Sequence, residues 1–432
     1  MTPPSPQSIP ARWIIAEPDH GALKNLQDAL HLPELVARVL VNRGIETPEA
    51  ATAFLAPTLK SLNDPLQMRD MDRAVRRVMD AFTGGETICI HGDYDADGMT
   101  STALLASFFE QAGHPVRTFL PDRMTDGYGL NPDRLKEMVR DGVNLIIAVD
   151  CGTTAISEAN LLKSLGADLV ILDHHTPGPA LPDAAAVVNP HRKDCEFPFK
   201  DLSAVGVAFY FAGAMRRALT DAGMLDRDGL DIRLLLDLVA VGTICDAVPL
   251  LSDNRVFVSA GLRLLNEGPR LGLAALKAVA GIRNRPVTSG IVGYQLGPRL
   301  NAIGRLGNPG IGLDLLLAHD PEEATRHADV LDRENEARRE VGEEVLAQAF
   351  RQVEEGGGPL HKAVVVSGEG WHPGVVGIAA SRLVETYRRP AVVIGVSDGI
   401  GKGSCRSIRG FDIGAALAGM SGMFIRHGGH PM

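Results

Sequence analysis

The sequence predicts an α/β protein with two folded units, a larger domain built on a parallel sheet and a smaller α/β domain, joined by one long helix. Its length of 432 residues is roughly three times the 150 or so of an ordinary domain. Short apolar runs alternate with helical patterns between residues 86 and 190, which is typical of a parallel sheet covered by helices on both faces. A highly charged helical stretch over 321–355 separates that region from a second set of strand and helix patterns.

The first part of the chain is interpreted as a cap on the larger domain. It combines a proline-rich start with short helical patterns over 35–43 and 48–54 and an amphipathic stretch that ends near Phe82. We therefore expect residues 1–82 to form a mainly helical cap region.

The larger domain is predicted over residues 83–250. A strand over 87–90 precedes the polar loop HGDYDADG and a helix over about 100–111. Asn131 followed by Pro132 is a typical helix start. Further strands are predicted in VRTFLP, NLIIAVD, DLVILDHH and AAVVNP, with a helix over about 155–165, and residues 203–280 are mostly helical.

The remaining chain is divided into a linker and the smaller domain. Residues 251–358 are interpreted as a helical linker that holds an arginine-rich segment, 281–307, with four arginines and no acid, and the long helix. The smaller domain is predicted over 359–432, with strands KAVVVSG and AVVIGV, a helix over about 375–387, the glycine-rich DGIGKGSCRSI and a helix after Asp412. Because the sequence stops within this pattern, we expect the smaller domain to be incomplete.

The composition excludes several classes of protein. Apolar residues make up 45% and charged residues 22%, as in globular proteins. No apolar run reaches the 18 or so residues of a membrane span, and the N-terminus lacks the pattern of a secretory signal, so we predict a cytoplasmic protein without a membrane partner. Five cysteines without a C-x-x-C pair disfavour a disulfide framework and a structural zinc site.

The distribution of charge along the chain says more about the kind of partner than the net charge does. The net charge of −10 argues by itself against a polyanionic partner. Residues 361–432, however, carry eight basic and four acidic side chains, and the arginine-rich segment is also basic.

Acidic and imidazole side chains follow the apolar runs of the larger domain. Since the carboxyl ends of parallel strands meet at one edge of a sheet, we expect these side chains to share one crevice. So many carboxylates would repel one another, and divalent cations resolve that conflict. Mixed oxygen and imidazole ligands suit Mn²⁺ or Mg²⁺, and a bridging carboxylate would hold two ions about 3.5 to 4 Å apart. The residues are His91, Asp93, Asp95, Asp97, Asp150, Asp173, His174, His175 and Asp246.

Two other interpretations of these motifs fail. Residues 93–98 match the start of a calcium-binding EF-hand loop, but Leu104 stands where that loop needs its glutamate. A Walker A loop around Lys402 lacks its first glycine. Adjacent His174 and His175 would point in opposite directions in an extended chain, so at most one is expected to bind metal directly.

Seven motifs carry a resemblance to a known family: HGDYDADGMTS, AVDCGTT, LDHH, AVGTICDAVPL, GPRLNAIGRLG, WHPGVVGIAASRL and HGGHPM. Together they resemble the DHH phosphoesterase superfamily, and most closely its bacterial single-strand-specific exonucleases, from about residue 35 to the end. The resemblance implies that the larger unit is a DHH catalytic domain and the smaller one a DHH-associated, substrate-binding domain that is truncated at its C-terminus.

The resemblance also implies a set of metal ligands. His91, Asp95 and Asp150 would hold one ion, and Asp97, Asp150, His174 and Asp246 the other, with Asp150 as the bridge. His175 would contact the scissile phosphate, and Asp173 would orient its neighbours. Asp93 lies in the motif but not at a ligand position of the superfamily.

Phosphate binding is expected from the arginine-rich segment and the DHH-associated domain. The motif GPRLNAIGRLG favours phosphate contact by Arg299 and Arg305 over surface ion pairs. Glycines in the segment 399–403 would let backbone N–H groups approach a phosphate, and the guanidinium of Arg406 is suited to bidentate binding. The resemblance points, across a cleft from the metals, to Ser404, Arg406, Gly428, Gly429 and His430.

The function that the resemblance implies is 5′-to-3′ hydrolysis of single-stranded DNA to mononucleotides, in recombination and repair, by a two-metal mechanism without a covalent intermediate. The partners would be single-stranded DNA with a 5′ end and, further, single-strand-binding protein and a helicase. Proteins of this kind normally continue into an OB-fold. We expect this chain to be a fragment or a natural short form that binds DNA less tightly. Two alternatives are a DHH hydrolase of short oligonucleotides, cyclic dinucleotides or pyrophosphate, and a non-catalytic DHH scaffold that binds DNA.

Overall fold

The computed structural model describes residues 14–123, 125–227, 229–268, 270–282, 285–356, 362–425 and 428. The chain divides into two compact units, one of residues 16–332 and one that contains residues 333–432. The division falls inside the segment predicted as a helical linker. Among the described residues, every helix is either too short or too polar to span a bilayer.

Within the described residues, four α-helices precede the first strand. Thr47 caps the third of them, since its hydroxyl accepts the N–H of Ala50, and Pro48 fills the first helical position. Leu23, Leu26 and Leu40 form the small apolar core of the first three helices. The first helix was not predicted from the sequence. The four are α1 (His20–Leu30), α2 (Glu34–Val41), α3 (Pro48–Leu55) and α4 (Met71–Gly84).

A five-stranded parallel sheet forms the centre of the larger unit. Its strands are β1 (Ile88–His91), β2 (Arg117–Phe119), β3 (Leu145–Val149), β4 (Asp168–Leu172) and β5 (Ala186–Val188). The spatial order is β2-β1-β3-β4-β5. The chain therefore steps outward from β1 to β2 and then returns to place β3 on the other side of β1. This reversal leaves a crevice at the carboxyl ends of β1 and β3, where open α/β sheets bind ligands.

The strands alternate with helices, as the sequence predicted. The connecting helices are α5 (Ala96–Gln111), α6 (Pro132–Arg140) and α7 (Ile156–Ser164). Helix α5 begins at Ala96, four residues earlier than predicted, because the Asp95 carboxylate accepts the N–H groups of Asp97 and Gly98 and so caps the helix. Phe108 and Phe109 on α5 are fully buried in the main core, and burial of one such side chain contributes about 1.5 to 3 kcal/mol.

The rest of the larger unit is helical, in agreement with the sequence. A five-residue π-helix, Val292–Leu296, joins α12 to α13 within the arginine-rich segment. The helices are α8 (Ala204–Asp221), α9 (Leu236–Cys245), α10 (Ser252–Glu267), α11 (Leu271–Val279), α12 (Ser289–Ile291), α13 (Gly297–Leu306) and α14 (Gly310–Leu317). The long α15 (Pro321–Glu355) begins in this unit and continues into the smaller one. Helix α15 has the bounds that the sequence predicted.

The smaller unit has a three-stranded sheet of β6 (Val364–Glu369), β7 (Ala391–Ser397) and β8 (Ile400–Arg406), with helices α16 (Pro373–Tyr387) and α17 (Ile413–Ala418). β6 and β7 are parallel, and β8 returns antiparallel to β7. The glycine-rich segment thus forms an edge strand. Val366, Trp371 and Val393 contribute to the core of this unit. The predicted α/β architecture with two units and a long helix is confirmed.

Candidate metal centre

The loop after β1 carries the first acidic side chains into the crevice. His91 is the last residue of β1, Asp95 caps α5, and Asp97 lies in the first turn of α5. The Asp97 carboxylate accepts the N–H groups of Ala204 (2.7 Å) and Val205 (3.0 Å) at the start of α8. These two bonds fix the orientation of a side chain that is only 1% exposed.

Asp150 follows β3 directly. Its φ of 60° lies in the left-handed region, which a non-glycine residue rarely adopts. Its N–H donates to the main-chain oxygen of Leu172 in β4 at 3.1 Å. The strained conformation is typical of functional sites, where surrounding structure maintains it.

The triplet after β4 is held by its own first residue. The Asp173 Oδ1 atom accepts the N–H groups of His174 (2.7 Å) and His175 (3.1 Å) and lies 2.8 Å from the His175 Nδ1 atom. Its Oδ2 atom accepts the N–H of Thr153 at 2.9 Å. The same carboxylate therefore holds the main chain of both histidines and the ring of His175.

Asp246 reaches the crevice from a helix rather than from a strand. It caps the C-terminus of α9. Its Oδ2 atom lies 3.7 Å from His174 Nδ1, while His174 Nε2 lies 3.3 Å from Asp150 Oδ1 and 4.0 Å from Asp97 Oδ2. His174 is thus surrounded by carboxylates from the ends of β3 and α9 and the start of α5.

Among the residues that the structure describes, three overlapping sets of ligand atoms lie close enough to hold divalent cations. Within each set the atoms are within 4.8 Å of one another. Asp150 belongs to two sets and His174 to two. The sets are Asp97, His174 and Asp246; Asp93, Asp95 and Asp150; and Asp150, Asp173, His174 and His175.

His91 belongs to none of these sets within the described part of the chain. It is fully buried beside Cys151, whose sulfur lies 4.0 Å from its Nδ1 atom. Its Nε2 atom has no hydrogen-bond partner. Asp93 was not expected to be a metal ligand, but its carboxylate lies close to the ligand atoms of Asp95 and Asp150.

The electrostatics of the crevice favour a cation. Burial, reinforced by the neighbouring carboxylates, raises the pKa of Asp97 and of Asp150 well above the ordinary value and raises the pKa of Asp93 to about 8. Burial lowers the pKa of His91 to about 4 and also lowers the pKa of His174. Bound divalent ions would stabilise the ionised form of these acids, and imidazoles that stay neutral are in the form that binds metal ions.

Unpaired buried atoms show the same fit. His91 Nε2, His174 Nε2 and Asp93 Oδ1 are buried without a hydrogen-bond partner. A buried polar atom that lacks a partner costs about 1 to 3 kcal/mol, so three such atoms in one crevice favour a ligand that completes them. Carboxylate oxygens and imidazole nitrogens together suit Mn²⁺ or Mg²⁺.

His175 differs from His174 in its charge. Burial lowers its pKa, but the hydrogen bond and charge of Asp173 outweigh burial and raise the pKa to about 9. The same contact holds the pKa of Asp173 below its ordinary value in spite of burial. His175 is therefore cationic near neutral pH, and its Nε2 atom lies 3.4 Å from the Tyr128 hydroxyl.

Comparison with known proteins identifies the family. The chain matches the model of the DHH family N-terminal domain over residues 87–243 and that of the DHHA1 domain over residues 360–432. The single-stranded-DNA-specific exonuclease RecJ of Salmonella typhimurium is 37% identical over 414 residues, which are 93% of this chain and 71% of that protein. The chain belongs to the RecJ family.

Other members of the RecJ family are also similar to this chain. The RecJ exonuclease of Bacillus subtilis is 41% identical over 423 residues, which are 98% of this chain but 52% of that protein, so the chain spans about half the length of that relative. The crystal structure of RecJ from Thermus thermophilus in complex with Mn²⁺ matches 96% of this chain and 58% of its own, with a TM-score of 0.82 and 31% identity. The Mg²⁺ complex of the same protein covers 96% of this chain and 56% of its own, with a TM-score of 0.75 and 28% identity.

The GPRLNAIGRLG motif of this RecJ family member contacts the loop after β1, which carries Asp93 and Asp95. The Asn301 side chain accepts the N–H of Ala96 at 2.8 Å. Gly304 packs against the backbone of Tyr94, and a Cβ atom there would lie 2.0 Å from the Tyr94 carbonyl oxygen. Sequence reasoning missed the part that these two residues play in the site, since only the arginines of the motif were expected to act.

The two arginines of that motif lie in different surroundings. Arg299 Nε donates to Asp332 Oδ1 at 2.7 Å, and its Nη1 donates to the main-chain oxygen of Gln295. Arg299 is thus engaged in an ion pair. The charge of Arg305 acts on the Tyr94 hydroxyl, where it opposes the rise in pKa that burial and Asp93 produce.

The phosphate-binding residues predicted in the smaller unit are partly described. Ser404 and Arg406 lie on β8, and Arg406 Nη1 donates to the Cys405 carbonyl oxygen at 2.8 Å and to Ser404 Oγ at 3.4 Å. Gly428 is exposed. Gly429 and His430 lie outside the described residues.

Proposed function

We propose that the chain is a metal-dependent 5′-to-3′ exonuclease that hydrolyses single-stranded DNA to mononucleotides, in recombination and repair. The observation that carries the proposal is the convergence of carboxylates and imidazoles, with unpaired buried atoms, at the crevice between β1 and β3. Membership of the RecJ family supports it, because the matched relatives are single-stranded-DNA-specific exonucleases.

The proposed ligands are those of the sequence prediction. Asp97, His174 and Asp246 form one compact set, and the short distance from His174 to Asp150 favours Asp150 as the bridge to the other ion. For that other ion we propose His91, Asp95 and Asp150. The unpaired His91 nitrogen supports His91, while the set formed by Asp93, Asp95 and Asp150 supports Asp93 as an additional contact.

Bound divalent ions would polarise the phosphate, activate water and neutralise the leaving oxygen. The protein's own groups do the rest. The imidazolium of His175, a third exposed and oriented by Asp173, is placed to donate to a phosphate oxygen, and a charged donor forms the stronger hydrogen bond. Asp173 keeps that proton on His175 and fixes the ring.

Substrate phosphates are proposed to bind Arg299, Arg305, Ser404, Arg406 and the Gly428–His430 segment. The hydroxyl of Ser404 beside the guanidinium of Arg406 supports this assignment in the smaller unit, since neighbouring hydroxyl and guanidinium donors suit a phosphate. Arg299 would have to exchange Asp332 for a phosphate.

Cytoplasmic location and the partners single-strand-binding protein and helicase stay predictions of the sequence.

The test is product analysis. The chain is incubated in the presence of Mn²⁺ with one substrate in each reaction. The substrates are a 5′-phosphorylated single-stranded 20-mer, the corresponding blunt duplex, a dinucleotide, a cyclic dinucleotide and pyrophosphate. We expect mononucleotides from the 5′ end of the single strand and little release from the duplex. Rapid cleavage of the small substrates with none of the 20-mer would identify a small-substrate DHH hydrolase instead, and no hydrolysis at all would favour a scaffold.

A further inference from the structure

The segment after β5 lies beside the DHH triplet and contains none of the proposed metal ligands or phosphate-binding residues. It begins at Asn189, the residue after β5, whose side chain is fully buried. The Asn189 Nδ2 atom donates to Thr153 Oγ1 and to the main-chain oxygen of His175, both at 2.9 Å. The Asn189 Oδ1 atom accepts the N–H of His191 at 2.8 Å.

The same segment holds the neighbouring carbonyl. The His191 Nδ1 atom lies 2.5 Å from the main-chain oxygen of His174. The carbonyl groups of His174 and His175 are thus held by His191 and Asn189, while the N–H groups of the same two residues donate to Asp173. Both amides and both carbonyls of the pair are therefore fixed by side chains.

Thr153 connects this arrangement to the other side of the crevice. It is buried, its hydroxyl accepts from Asn189, and its N–H donates to Asp173 Oδ2. Thr153 follows Asp150 by three residues along the chain. Asn189 therefore bonds both to the segment after β3 and to the triplet after β4, the two segments that carry the proposed bridging ligand and the imidazoles.

We propose that Asn189 is a positioning residue for the metal centre, which acts through Thr153 and the His175 carbonyl to fix the His174 ring at its ion and the His175 ring toward the phosphate. This inference rests on the proposed function for the identity of the ions and the substrate. Partners that orient a metal ligand change metal affinity or activity by roughly 10- to 100-fold when they are removed. A buried asparagine with a structural role alone would change stability and leave metal affinity unaltered.

The experiment compares Asn189→Ala with Asn266→Ala in the full chain. Asn266 also makes three hydrogen bonds, at an exposed position away from the triplet, since its Nδ2 atom donates to the Leu262 and Val287 carbonyls and its Oδ1 atom accepts the Val287 N–H. Mn²⁺ is titrated into each folded protein, and free Mn²⁺ is followed by electron paramagnetic resonance. We expect the dissociation constant to rise about tenfold or more in Asn189→Ala and to stay at the wild-type value in Asn266→Ala.

If Asn189→Ala does not fold, two milder substitutions at Thr153 test the same contact. Thr153→Val removes the hydroxyl that Asn189 contacts, and Thr153→Ser retains it. We expect weaker Mn²⁺ binding in the valine variant and wild-type binding in the serine variant. Equal Mn²⁺ affinities in these two variants, or a folded Asn189→Ala with wild-type affinity, would overturn the positioning role.

The outcomes separate this inference from the proposed function. Weaker Mn²⁺ binding in Asn189→Ala, together with a wild-type protein that hydrolyses no DNA, would support the positioning role and refute the exonuclease. Exonuclease activity in the wild type, with unchanged Mn²⁺ affinity and turnover in Asn189→Ala, would do the reverse. A wild-type protein that binds no Mn²⁺ would overturn both.

Discussion

Replacing Gly304 by alanine is predicted to disturb the metal centre from the neighbouring helix. A Cβ atom at Gly304 in α13 would lie 2.0 Å from the carbonyl oxygen of Tyr94 and 3.0 Å from its carbonyl carbon. Carbon–oxygen contacts in proteins are about 3.3 Å or longer, so the helix or the loop must move by more than about 1 Å. Because Tyr94 lies between Asp93 and Asp95, the movement reaches proposed metal contacts.

The magnitude follows from two opposing effects. Overpacking costs about 1 to 3 kcal/mol, whereas alanine is favoured over glycine within a helix by about 1 kcal/mol. We expect a net destabilisation of about 0 to 2 kcal/mol, and a rate loss of about a hundredfold because a displacement of about 1 Å near the reacting groups has that effect. Urea denaturation and Mn²⁺-dependent nuclease assays measure the two changes.

Gly342→Ala is the matched control for this prediction. Gly342 also lies inside a helix, α15, and a Cβ atom there meets nothing within 4 Å. It should leave the rate unchanged and raise the free energy of unfolding by up to about 1 kcal/mol. A Gly304→Ala protein as stable and as active as Gly342→Ala would contradict this prediction, since the close approach of α13 to the loop would then have no consequence.

Three further predictions concern the bridge, the fold and the substrate. Asp150→Asn should lower nuclease activity by more than the roughly 10- to 100-fold typical of residues that only orient ligands. The control variant Asp141→Asn, at an exposed position, should leave the activity unchanged. Similar activities of the two variants would refute the bridging role. Asp70→Ala should lower the free energy of unfolding at pH 7 by about 1 to 3 kcal/mol, because Asp70 accepts a 2.6 Å hydrogen bond from the buried Arg192, which retains Asp194 as a second partner. Burial opposes ionisation of Asp70, but Arg192 lowers its pKa below the ordinary value, so this contribution is present above about pH 4 and is lost as the pH falls further; a difference between the two proteins that persists undiminished at about pH 3 would contradict it. The affinity for single-stranded DNA should fall with salt with a logarithmic slope of about −0.7 for each phosphate held, and an affinity independent of salt would contradict phosphate binding.

The architecture could be predicted because the patterns that determine it are local. The strands β1, β3 and β4 are short apolar runs bounded by polar loops, and α15 has a charged helical pattern that ends at a run of glycines. Placing Asp150 and Asp173 at one edge needed only the rule for parallel strands. The helix α1 escaped prediction because its weakly apolar sequence is stabilised by packing on Leu40 and neighbouring residues rather than by a strong pattern.

The contacts that shape the site could not be predicted, because they join residues far apart in sequence. The bond from Ala96 to Asn301 spans 205 residues, and that from Asn189 to Thr153 spans 36. The ion pair of Arg299 with Asp332 depends likewise on how α13 and α15 pack. Sequence motifs identify which side chains matter but do not state which of them contact one another.

The most direct test of the account is anomalous X-ray diffraction from crystals of the chain grown with Mn²⁺. We expect two manganese peaks about 3.5 to 4 Å apart, with Asp150 contacting both and Asp97, His174 and Asp246 around one of them. Manganese bound elsewhere, or a crevice between β1 and β3 without any ion at saturating Mn²⁺, would contradict it.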